Sequence, residues 1–167
     1  MKKVTKLNKK RSGQAGTISL EMIAAAVFIL GAMMVIASYN PKIQNIWGRF
    51  LFVNQASEIA QYAVEWKGQK PNFLGVTLEK ICEQTSISKP ICGANNDGKA
   101  TNSFGGDWSV QPNAVSAGFL DVTATVIDTT QIPVLAEKVA ASTREQCLEA
   151  AGCGSVKTTG SSLTMTY

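Results

Sequence analysis

The sequence predicts an α+β fold in which one long N-terminal helix packs on a small antiparallel sheet. Three observations lead there. An uncharged apolar run, Met22 to Ala37, is followed after Asn40-Pro41 by a helically spaced apolar pattern that lasts to residue 66. Residues 116–127 and 163–167 alternate apolar and polar side chains, as half-buried strands do. Between them, residues 132–150 return to helical spacing.

Composition narrows the class. The 167 residues suffice for one domain with a modest core, and 45% apolar with 17% charged residues excludes disorder. The net charge of +4 is unevenly placed. Residues 1–16 hold Lys2, Lys3, Lys6, Lys9, Lys10 and Arg11 with no acid, which is +6, and the ten bases and twelve acids beyond them leave −2. No aromatic–basic patch continues the basic theme, so nucleic acid is not expected as a partner. Histidine is absent altogether, which removes the commonest general base and the usual triads.

The four cysteines, Cys82, Cys92, Cys147 and Cys153, are not spaced as CxxC pairs and suit a disulfide framework in an exported domain. Three pairings are possible. Proximity in sequence favours Cys82–Cys92 with Cys147–Cys153.

With Thr17 to Leu20 included, the apolar run approaches the ~20 residues a helix needs to cross a bilayer. Positive residues ahead of it favour a cytoplasmic N-terminus, which leaves the body of the chain on the far side of the inner membrane. Glu21 is the anomaly, because a carboxylate within an apolar helix costs about 2–3 kcal/mol unless it is paired or near the interface. The helix macrodipole favours an acid near the helix start, and a cation at the same depth would be a stronger partner.

The run Gly16-Thr17-Ile18-Ser19-Leu20-Glu21, after a basic segment and before an apolar helix, resembles the processing site of type IV prepilins. That resemblance implies cleavage after Gly16 by a membrane-embedded prepilin peptidase, usually followed by methylation of the new amine. It also implies that Glu21, at mature position five, pairs with the Thr17 amine of a neighbouring subunit. A buried pair of that kind sets register more than it adds stability. Thr17 departs from the Phe, Met or Leu usual at the first mature position. The 16-residue leader and the order of elements in the head are nearer to type IVb pilins, although 151 mature residues are short for that group. Thin-pilus major pilins of enteric bacteria and conjugative plasmids are the nearest likeness.

Two other readings of the N-terminus are an uncleaved anchor and a secretory signal peptide cut after Val35-Ile36-Ala37. The first does not account for the Gly–Glu spacing, and Glu21 sits badly in the second.

The expected organisation is a leader over 1–16, a helix over 17–66 and an α+β head over 67–167. Within the helix, 17–38 is the apolar half and 42–66 the amphipathic half. Ile43, Ile46, Trp47, Phe50, Val53, Ala56, Ile59, Ala60, Ala63 and Val64 are assigned to one core-facing stripe. Gly31 weakens the helix by ~1 kcal/mol against alanine, and Pro41 removes a backbone hydrogen bond. The Gly31–Pro41 segment is therefore where helix is expected to yield when subunits pack.

Further on, a short helix is expected over Leu78–Gln84, turns over 85–103 and strands at 108–111, 116–127 and 163–167. A helix over 132–150 should start at Pro133 and end at Gly152. Asn95-Asn96-Asp97-Gly98 lacks EF-hand spacing and reads as a turn, so neither metal nor cofactor is expected.

Asp121 and Asp128 are taken as isolated solvating acids, and no nucleotide motif is present. No enzyme is expected; the chain reads as an enzyme's substrate. The resemblance implies a structural subunit, with identical subunits, the peptidase, an assembly ATPase and a platform protein as partners. A minor pilin or a type II secretion pseudopilin would fit the same motif.

Overall fold

The computed structural model describes residues 20–167, and within α1 the side chains of residues 20–22, 24 and 36–41 lie outside the description. In chain order the elements are α1 (Leu20–Lys67), α2 (Leu78–Gln84), α3 (Lys89–Cys92), β1 (Trp108–Pro112), β2 (Leu120–Thr125), α4 (Ile132–Ala140), β3 (Val156–Thr159) and β4 (Ser162–Thr166). The chain divides into two units, Met1–Pro41 and Lys42–Tyr167. The mixture of helices with a four-stranded antiparallel sheet makes the fold α+β.

Helical backbone runs through both Gly31 and Pro41. The helix stops at Lys67 because Gly68 turns into the left-handed region at φ 50° while its N–H still reaches the Val64 carbonyl. The core pattern of α1 is where expectation and structure part. Phe52, Ala56, Ile59, Ala63 and Trp66 are buried, whereas Ile43, Ile46, Trp47, Phe50 and Val64 are 56–66% exposed. At about 100° per residue these are two opposite faces of one helix, so the single stripe read from the sequence is a core face plus a second, uncovered one.

The covered face begins at Gly48. Gly48 lies under the Phe104 ring, which a Cβ there would meet in ordinary contact at 3.5 Å, and the Ser103 hydroxyl donates to the Gly48 carbonyl oxygen. Phe52 then packs against Phe104 and Trp108, with the Trp108 ring 4.8 Å away, centre to centre.

In the sheet the order is β1-β2-β4-β3, every pair antiparallel. Val122 sits opposite Val110 on one side and Met165 on the other, and Ala124 sits between Trp108 and Leu163. These side chains, with Leu135 and Val139 from α4, form one core with the buried face of α1. The alternation in 116–127 and 163–167 marked β2 and β4, although β2 is half as long as expected and β4 begins and ends one residue earlier. Val156–Thr159 was not foreseen as a strand. It is an edge strand whose last three residues are exposed, so the polarity of Lys157, Thr158 and Thr159 hides it.

α2 has the expected bounds, opened by the Thr77 hydroxyl accepting from the Lys80 N–H. The stretch read as turns contains the one-turn helix α3, which Pro90 starts and Gly93, at φ 80°, ends. Both disulfides follow the pairing that sequence proximity favoured: Cys82–Cys92 joins α2 to α3, and Cys147–Cys153 closes a loop beyond α4. Cys82 and Cys92 are buried at 2% and 0% exposure. Replacing both by alanine should lower the stability of the head by about 2–4 kcal/mol, read as a shift in the guanidinium unfolding midpoint in detergent. An unchanged midpoint would rule out that contribution.

The last helix is a correction. α4 ends at Ala140, not at residue 150, and Gly152 lies in the disulfide loop at φ 79°. Ser142 and Thr143 turn their hydroxyls back to the carbonyls of Val139 and Ala140, and the buried Thr143 hydroxyl also meets that of Ser155. Arg144 then donates its N–H to the Thr166 carbonyl, joining the sheet. Leu148, assigned to an apolar helix side, is 97% exposed in the loop.

Candidate assembly surface

The positions that the sequence singled out fall unevenly on the structure. Gly16 and Thr17 lie outside the described residues. Leu20 and Glu21 open α1 and Pro41 lies within it, but their side chains are outside the description. Gly31 is described: a Cβ there would meet nothing within 4 Å.

Within the first unit the described side chains of α1 are uncovered on every side. Val27, Phe28, Ile29 and Leu30, four consecutive positions that together circle the helix, are 53–79% exposed, and Met33 and Met34 continue the surface. Gly31 and Ala32 leave a shallow apolar notch beside Val27, Phe28 and Val35. A helix that is apolar all round is at home only inside a larger protein body, a bundle or a bilayer. Among the described residues, no helix is long and apolar enough to cross a membrane. Residues 17–19, where the apolar run was expected to start, lie outside the described residues.

Within the second unit the uncovered α1 face forms a separate surface. The Trp47 and Phe50 rings lie 5.6 Å apart on it. Beside them is a cavity of about 440 Å³ lined by Ile46, Arg49, Phe50, Val53 and, from α4, Lys138. The Arg49 guanidinium is held in place because its Nε and Nη2 donate to the Gln131 Oε1 at 3.3 and 2.9 Å. Gln131 in turn donates its side-chain N–H to Asp128, whose carboxylate also accepts from the Thr130 hydroxyl and N–H. These bonds, the Thr130 hydroxyl's first, hold the Asp128 carboxyl below its ordinary value. Asp128 therefore anchors the turn before α4 and is not simply a solvating acid.

Asp121 is a clearer correction. It is buried at 9% exposure, where Thr166 Oγ1 donates to it at 2.7 Å and Asn113 Nδ2 donates to both carboxylate oxygens. It ties the 113–119 loop to β2 and β4. Nearby, burial pushes the Tyr167 hydroxyl upward, partly offset by a hydrogen bond with Ser142.

Asp97, the acid weighed for calcium, accepts from the Lys99 N–H inside its own turn. Among the described residues, Glu145, Cys147 and Cys153 bring three ligand atoms together, but the two sulfurs are bonded to each other. The exposed α1 face was missed because its apolar residues merge in sequence with those of the core face. Only their phase, about 170° from Phe52 on average, separates the two.

Comparison with protein-family models, with characterised proteins and with solved structures finds no match to this chain.

Proposed function

We propose that the chain is the precursor of a filament subunit of the type IV pilin kind, nearer to type IVb, and that its role is structural rather than enzymatic. One observation carries the reading: an apolar helix with no cover of its own follows the Gly16-Thr17 junction and Glu21, while the head is complete without it. Supporting it are two disulfides in the head, which suit a domain exported across the inner membrane.

On this reading the precursor is a single-pass inner-membrane protein with its head in the periplasm. A prepilin peptidase cuts after Gly16, and the new Thr17 amine meets Glu21 of a neighbour. Identical subunits, driven by an assembly ATPase on a platform protein, then leave the bilayer and pack residues Leu20 to Ala37 into a filament core. Helices that pack equally well in lipid and against one another can make that transfer reversibly. Unwinding across Gly31–Pro41 would let the packed helices adjust. The extracellular filament would serve cell–cell contact, adhesion or conjugation. A minor pilin or a type II secretion pseudopilin is the alternative within this class.

The deciding experiment is the intact mass and N-terminal sequence of the protein sheared from its host's surface. A chain starting at Thr17 in the sheared fraction is the expected result, and an added methyl group would report the modified amine. A soluble chain starting at Ser38 would replace this reading with a secreted domain released by signal peptidase. The self-contained core of the head, within Lys42–Tyr167, is what favours that second reading.

A further inference from the structure

We propose that the uncovered α1 face of the head, at Ile43, Ile46, Trp47 and Phe50, docks on an anionic phospholipid surface before the subunit assembles. The inference rests on the bilayer insertion of the preceding apolar run and goes beyond it, because it concerns residues that no spanning segment includes.

Four large apolar side chains, 56–66% exposed, share one face of the helix and oppose the face that enters the core. The cavity beside them is lined by two cations, Arg49 and Lys138, and by no acid. Arg49 is fixed there by Gln131, and Lys138 projects from the neighbouring helix. Apolar area, a tryptophan and two positive charges, that of Arg49 held in place, are the chemistry that a headgroup layer of phosphates over acyl chains accepts. A two-fold dimer through this face would bring Arg49 and Lys138 against their own equivalents, because a two-fold contact is self-complementary. Lipid phosphate offers the opposite charge instead. Ile43 follows Ala37 by six residues, so the face begins where the apolar run has just ended.

The test uses the full-length precursor in phosphatidylglycerol vesicles that contain lipid brominated near the headgroup. The Trp47 signal is taken as the difference between the wild type and Trp47→Phe. That signal should be blue-shifted and quenched, and both effects should fade in phosphatidylcholine vesicles or at high salt. Lys138→Gln should weaken the dependence on anionic lipid roughly fivefold.

A Trp47 signal that is unquenched in anionic vesicles, in a chain that resists alkaline carbonate extraction, would overturn the inference and leave membrane insertion standing. A signal shielded only as protein concentration rises would assign the face to a second copy and overturn it equally. Release of the chain by carbonate would sink the bilayer reading and this inference together.

Discussion

Cells carrying Glu21→Ala should insert and cut the precursor normally yet shed almost no filament. The carboxylate is costly in an apolar helix, so removing it favours the membrane-inserted form by about 2–3 kcal/mol. Cleavage is directed at Gly16-Thr17 and does not need the acid. Assembly is different. On the proposed reading each Thr17 amine is carried into the filament core and meets Glu21 of another subunit. Deleting one partner of a buried pair leaves the other charge uncompensated, at roughly 3–5 kcal/mol per contact, a loss of at least a hundredfold in each subunit's hold.

Two measurements separate the steps: N-terminal sequencing of the membrane fraction for cleavage, and an immunoblot of the sheared fraction for assembly. Glu21→Gln retains the shape without the charge and should fail in the same way. Full-length filaments from either variant would remove the pairing argument.

Gly106→Ala should strongly destabilise the head. A Cβ at Gly106 would overlap the Thr125 carbonyl, a backbone atom that cannot move without disturbing β2. The clash falls in a tightly bonded corner. Asn102 Oδ1 accepts from the N–H groups of Phe104 and Gly106, its Nδ2 donates to the Thr125 carbonyl, and its own N–H reaches the Gly106 carbonyl. Asn102 is only 4% exposed, so opening this corner strands buried polar groups as well as straining the backbone. Overpacking alone costs about 1–3 kcal/mol, and the lost hydrogen bonds raise the total to roughly 3–5 kcal/mol, a large part of a domain's stability.

Gly160→Ala is the control. Its φ of 57° strains alanine, but a Cβ there meets open space, so about 1 kcal/mol is expected. Thermal unfolding in detergent, followed by near-ultraviolet circular dichroism, compares the two. Equal midpoints would show that the Gly106 corner yields and would defeat the packing argument.

What could be read from residues alone had strong local physics behind it. The period of 3.6 marked α1, a two-residue period marked β2 and β4, and the short helix α2 lies where it was expected, over Leu78–Gln84. Sequence proximity also favoured the disulfide pairing found here, since Cys82 and Cys92 end up 5.6 Å apart between adjoining helices, Cα to Cα. The Gly16–Glu21 pattern and the uncharged run behind it are likewise local, and they carry the functional proposal.

Other features depended on partners distant in the chain. β3 is a strand because β4 lies beside it, and its exposed polar residues carry no period of their own. α4 ends at Ala140 because Thr143 finds Ser155 and Arg144 finds Thr166, contacts that helical spacing cannot anticipate. Asp121 became an internal anchor once Asn113 and Thr166 closed over it. Above all, both apolar faces of α1 obey the same helical period, and only the sheet's position chose between them. It covers Phe52 and leaves Trp47 and Phe50 outside, because a helix presents one side to a core and whatever lies opposite must find its cover elsewhere.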